Sequence, residues 1–98
     1  MIVRIVKMSI ARPHIAKFVA NFDRRKEEIR NVEGCELLEL YWDRTDTHLF
    51  FTYSYWKDES YLEAYRQSDL FKSVWSKTKP MFDKKPEAWS VDKVVSLP

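Results

Sequence analysis

Apolar positions along this chain change period several times, and the changes divide it into a short series of elements. Ile2 to Ile10 is rich in Val and Ile, with no Gly or Pro inside, and predicts a strand. Arg12-Pro13 marks a helix start, because proline's missing N–H is no loss in the first turn. Ile15, Phe18, Val19, Phe22 and Ile29 then recur at helical spacing, with Lys17, Arg24, Arg25 and Glu28 between them. This predicts an amphipathic helix from about Pro13 to Asn31. Gly34, the only glycine, falls where that pattern stops and reads as a left-handed residue ending the helix. Its alternative use, a close backbone approach to a ligand, is the weaker reading.

Cys35 to Asp43 alternates and predicts a second strand, Asp43 to Thr47 a polar turn, and His48 to Trp56 a third strand rich in aromatic and hydroxyl residues. The short link makes these two strands an antiparallel hairpin. Lys57 to Ser60 opens a helix with Asp58 as its cap, and Tyr61, Leu62 and Tyr65 form its apolar side. Ser68 looks like a second cap, followed by Leu70, Phe71, Val74, Trp75 and Thr78 at helical spacing. Pro80 ends or bends that segment, Lys84-Lys85-Pro86 is a turn, and Glu87 to Val95 is a last strand. With right-handed crossovers the order gives an α+β fold of the ferredoxin-like βαββαβ type. It has a four-stranded antiparallel sheet with its helices on one face.

The strands are apolar on both sides, which a sheet covered on one face does not need. Val6 and Met8 oppose Val3 and Ile5 in the first strand; Leu38, Leu40 and Trp42 oppose Cys35, Leu37 and Tyr41 in the second. In the third, Phe50 and Trp56 oppose Phe51, Tyr53 and Tyr55; in the fourth, Ala88 and Val94 oppose Trp89, Val91 and Val95. Such a sheet is roughly 19 by 26 Å, or about 500 Å² in plan, and two helices cover only one side of it. A second copy is the simplest cover for the other, giving a homodimer through sheet faces. The alternative is a monomer with an amphipathic open face, which Arg4, Glu36, Ser54 and Lys93 keep open.

The 98 residues suit one domain, spanning 1–98, with a thin core. A net charge of +2 argues against nucleic acid as a partner, and Glu27 and Glu28 offset the Arg24-Arg25-Lys26 run. A lone cysteine, Cys35, and the absence of a long apolar run point to a cytoplasmic protein without a membrane partner. One glycine cannot build a phosphate loop, and two distant histidines with one cysteine are too few for a metal cluster. His14 and His48 read as surface or capping residues, and Cys35 as a small core residue. The aromatics remain: Trp42, Tyr53, Tyr55, Tyr65, Trp75 and Trp89 exceed what a small core needs and suit a pocket for a flat, mostly apolar ligand.

The stretch Tyr65 to Lys79, YRQSDLFKSVWSKTK, resembles the antibiotic biosynthesis monooxygenase (ABM) domain family. Its most recognisable piece is Ser68-Asp69-Leu70-Phe71, supported by Gly34-Cys35, FFTYSYW at Phe50 to Trp56, and PEAWS at Pro86 to Ser90. The resemblance implies a dimeric α/β barrel with a pocket between helices and sheet in each subunit. It also implies cofactor-free oxygenases of phenolic substrates and haem-degrading enzymes among the members. The haem-degrading pattern departs here: its ligand His falls on Trp75, its helix Trp on Tyr65, and its strand-one Asn near Lys7. No cofactor and no catalytic residue are therefore carried over.

The function expected is a cofactor-independent monooxygenase acting on a small aromatic or quinol substrate. The alternative is a non-catalytic binding module for a small apolar ligand. An isomerase on the same barrel ranks last, because no convergent His and acidic pair is evident. Tyr65 and Trp75 are the expected pocket wall, with Phe22 and Phe71 beside them, and Tyr53 and Lys7 the polar handles.

Overall fold

Val- and Ile-rich sequence forms β1, Ile2–Ser9, and a computed structural model describes the chain from there through all of residues 1–98. A 3₁₀ turn at Arg12–His14 leads into α1, Ile15–Arg30; the proline sits in this turn rather than in the helix itself. Strands β2, Cys35–Trp42, and β3, Leu49–Trp56, form the hairpin. Two short helices follow, α2, Glu59–Arg66, and α3, Asp69–Thr78. A second 3₁₀ turn, Lys79–Met81, precedes β4, Glu87–Asp92. The four strands are all antiparallel in the order β2-β3-β1-β4. This is the ferredoxin-like α+β arrangement that the order of elements predicts.

The caps explain why one apolar helical stretch becomes two helices. Asp58 accepts from the Ser60 amide at 2.8 Å and starts α2. Ser68 accepts from the Phe71 amide at 3.1 Å and donates to the Tyr65 carbonyl at 2.6 Å. A single hydroxyl thus ends α2 and begins α3, fixing the angle between them.

Three sequence expectations change. β4 stops at Asp92, leaving Val94 and Val95 exposed beyond the sheet. Cys35 faces the helices, because a bulge between Cys35 and Leu37 shifts the register so that Cys35 pairs with Trp56 and Leu37 with Tyr55. Strict alternation placed Cys35 with Leu37; one extra residue reverses its face. Gly34 has the expected positive φ of 88°, yet it lies beyond the end of α1, where the Asn31 amide already bonds the Glu27 carbonyl at 3.0 Å. A Cβ at Gly34 would strike Tyr61 on α2, so the close approach is to a helix rather than to a ligand.

Register sorts the two faces. Val6, Met8, Leu38, Leu40, Phe50 and Trp56 lie on the helix side. Met8, Ile10, Phe18, Phe50 and Met81 make one core cluster there, and Cys35, Trp56 and Leu62 make a second. The opposite side carries Val3, Ile5, Leu37, Phe51, Tyr53 and Tyr55, with Trp89 and Val91 more than 40% exposed at its β4 edge. Arg4 and Ser54, expected to make an open face amphipathic, instead pair with each other on the helix side. The open face is therefore greasier than the sequence suggested. No helix is long and apolar enough to cross a membrane.

Candidate functional site

Between the two core clusters the helices stand away from the sheet and leave a cavity of ≈360 Å³. α1 packs over β2 and α2 over β3, so the helix side of β1 and β4 has thinner cover. Val6, Met8, Leu38 and Trp56 form the floor, and Phe22, Tyr65, Phe71 and Trp75 form the roof. Arg66, Glu87 and Ala88, all exposed, form the rim on the β4 side.

The aromatic wall is continuous. Trp56 stacks on Tyr65 with ring centres 5.2 Å apart, and Tyr65 meets Phe71 edge-on at 5.2 Å. Phe71 stacks on Trp75 at 5.9 Å, and Trp75 meets Phe82 edge-on at 5.4 Å. Ser68 sets this geometry, since it joins the helix ends that carry Tyr65 and Phe71. The Trp56 indole N–H is committed to Ser54 Oγ at 3.0 Å. The Tyr65 hydroxyl and the Trp75 indole N–H have no such protein partner. They are polar handles in an otherwise apolar wall.

Burial pushes the Tyr65 phenol up to about 12; the neighbouring Cys35 thiol adds to this, and Arg25 opposes it. Tyr65 is therefore a neutral phenol at physiological pH, able to donate a hydrogen bond and unable to act as a resting base. Burial also raises the Cys35 thiol, which keeps it protonated beside Trp56 and Leu62. No His, Cys or Asp lines the cavity.

Four of the six sequence-selected residues, Tyr65, Trp75, Phe22 and Phe71, meet at this cavity. Tyr53 and Lys7 do not. Tyr53 pairs with Ile5, and Lys7 with Phe51, on the opposite face of the sheet. Both were chosen for residue type, and strand parity excludes them from the helix side. A His and acid pair does exist, contrary to expectation: His48 Nδ1 lies 3.2 Å from Asp83 Oδ2 and 2.8 Å from the Ile10 carbonyl. The two residues are far apart in sequence, and neither lines the cavity. Sequence reasoning missed Arg4 and Arg66. The available signal was Arg4's parity with Val6 and Met8, which puts a cation on the helix side of β1.

The family model of antibiotic biosynthesis monooxygenase (ABM) matches residues 1–75. The chain belongs to that family. A crystal structure of an antibiotic biosynthesis monooxygenase is similar with a TM-score of 0.90 at 18% identity, over 97% of this ABM chain and 100% of the other. A conserved protein from Methanosarcina mazei is similar with a TM-score of 0.88 at 24% identity, over 95% and 93% of the two chains. A Pseudomonas aeruginosa protein follows with a TM-score of 0.83 at 20% identity, over 96% and 94%. Likeness at this identity carries the fold and not the chemistry. No curated protein matches the chain.

Proposed function

We propose that this ABM protein is a cofactor-independent monooxygenase acting on a small, electron-rich aromatic of the quinol or anthrone class. The observation that supports it is the cavity itself. It is a mostly apolar space with a continuous aromatic wall, and its roof carries a neutral phenol and an indole N–H without protein partners. An anthrone-type substrate supplies its own electrons. Its ring CH₂ becomes C=O with one atom of O₂, and the other atom leaves as water with the two hydrogens. The protein then has to hold the ring, exclude bulk water and offer a hydrogen bond to the substrate's oxygen. Tyr65 is assigned that hydrogen bond and Trp75 the ring contact.

The open sheet face supports a homodimer. Ile5, Phe51, Tyr53, Tyr55 and Trp89 form one apolar surface that a second copy would cover by two-fold symmetry. Residues 1–98 act as one domain in each subunit. The unpaired, buried Cys35 suits a reducing cytoplasm.

One observation favours a second reading, a binding module without turnover: no His, Cys or Asp lines the cavity, and its one carboxylate residue, Glu87, is exposed at the rim and pairs with Lys7 on the opposite side of the sheet. Oxygen consumption separates the two. Purified protein with anthrone under air is expected to consume one O₂ per anthraquinone formed, more slowly in Tyr65→Phe and Trp75→Phe. Anthrone bound at the cavity with no O₂ uptake above the protein-free rate would establish the binding module instead.

A further inference from the structure

Two cations face this apolar cavity, and only one has an evident structural reason to be there. Arg66 sits in the last turn of α2, where a cation suits the helix dipole, and it pairs with Glu63 at 3.4 Å on the surface. Arg4 lies mid-strand in β1, on the side that packs against helices, between Ser54 of β3 and Ser90 of β4. Its one hydrogen bond runs from Nη1 to Ser90 Oγ at 3.0 Å. It makes no ion pair and is only partly buried, so its guanidinium faces the cavity mouth with no carboxylate beside it.

Arg66 is near enough to Arg4 to repel it. Burial first and Arg66 second lower its guanidinium from the ordinary value, and both outweigh Glu63, which acts the other way. Glu87 also lines the cavity, but it sits further along the β1–β4 ladder, opposite Lys7. Both arginines thus line a cavity whose remaining wall is largely aromatic and aliphatic.

We propose that the cavity takes an aromatic carboxylate, with its ring in the aromatic cage and its carboxylate between Arg4 and Arg66. This rests on the cavity being the substrate site and narrows the substrate class. A guanidinium fork matches a carboxylate through two parallel hydrogen bonds. A small inorganic anion would leave the aromatic wall unfilled, and a neutral quinol would leave Arg4 unpaired. Ser54 and Ser90 flank Arg4 in the sheet, and the Ser90 hydroxyl accepts its hydrogen bond.

Naphthoate and its neutral isostere naphthamide test this by titration calorimetry on the full chain at low salt. Naphthoate is expected to bind tighter by roughly tenfold or more, as charge-assisted hydrogen bonds require. The preference should disappear in Arg4→Gln, persist in part in Arg4→Lys and weaken in Arg66→Gln. Arg66 is exposed, so its variant tests the assignment even if Arg4→Gln does not fold. Equal affinities for the two probes, or a preference untouched by Arg66→Gln and Arg4→Gln, would overturn the carboxylate assignment and leave the cavity intact as a site. Binding of neither probe would overturn both. Tight naphthoate binding with no O₂ uptake on anthrone or on an anthrone carboxylate would support this proposal and remove the oxygenase.

Discussion

Replacing Gly34 by alanine joins two costs that can be separated. The residue has a φ of 88°, a region where a Cβ meets backbone strain of about 1–2 kcal/mol. The same Cβ would overlap the Cβ, Cγ and Cδ1 of Tyr61, and forced repacking of that kind costs about 1–3 kcal/mol. Gly34→Ala is therefore expected to destabilise by about 2–5 kcal/mol. In a domain of this size that is a Tm drop of roughly 4–8 °C per kcal/mol. Urea unfolding followed by far-ultraviolet circular dichroism measures it. In a Tyr61→Gly background the overlap is gone, and the same substitution should cost only the backbone part, about 1–2 kcal/mol. A loss below about 1 kcal/mol in the wild-type background would refute the reasoning. Equal losses in the two backgrounds would refute the α2 contact specifically.

Other outcomes follow from the same geometry. Ser68→Ala removes the hydroxyl joining α2 to α3 and should cost about 1 kcal/mol in chemical denaturation, with weaker ligand binding because Tyr65 and Phe71 lose their shared anchor. The carboxyls of Asp43, Asp58 and Asp83 lie below the usual range: backbone amides bond Asp43, Ser60 bonds Asp58, and Ser9 bonds Asp83. A depressed carboxylate adds stability that is present above its unfolded value. Stability should therefore hold near neutrality and fall as pH drops below ~4, with a shallower acid slope in Asp58→Asn. The Cys35 thiol, buried and raised, should resist iodoacetamide in the folded protein and react on unfolding, as mass spectrometry of the alkylated chain would record. Sedimentation should give twice the chain mass, and Tyr53→Asp on the open face should give a monomer.

Much of this architecture could be read from residue type and period. Asp58 and Ser68 mark helix starts because capping is local chemistry, and both cap as expected. Phe22, Tyr65, Phe71 and Trp75 converge because helix periodicity aims them at the sheet. The failures share a cause in register. Tyr53 and Lys7 looked like polar handles by composition, but neither shares the helix side of the sheet with Trp56 and Val6. Cys35 changed face through one bulge, a feature set by tertiary packing rather than by alternation. Arg4 was taken for a solvent-facing interruption, although its parity with Val6 and Met8 already put it with the helices. His48 and Asp83 meet only because β3 and the segment before β4 flank the same end of β1, which no local spacing reveals.

Isotopically labelled O₂ tests the central claim most directly. If the cavity runs a monooxygenation, anthrone turned over by the purified chain must acquire one labelled oxygen in its new carbonyl, with the other labelled atom in water. Product carbonyl drawn from solvent water, or no conversion above the protein-free rate, would contradict it.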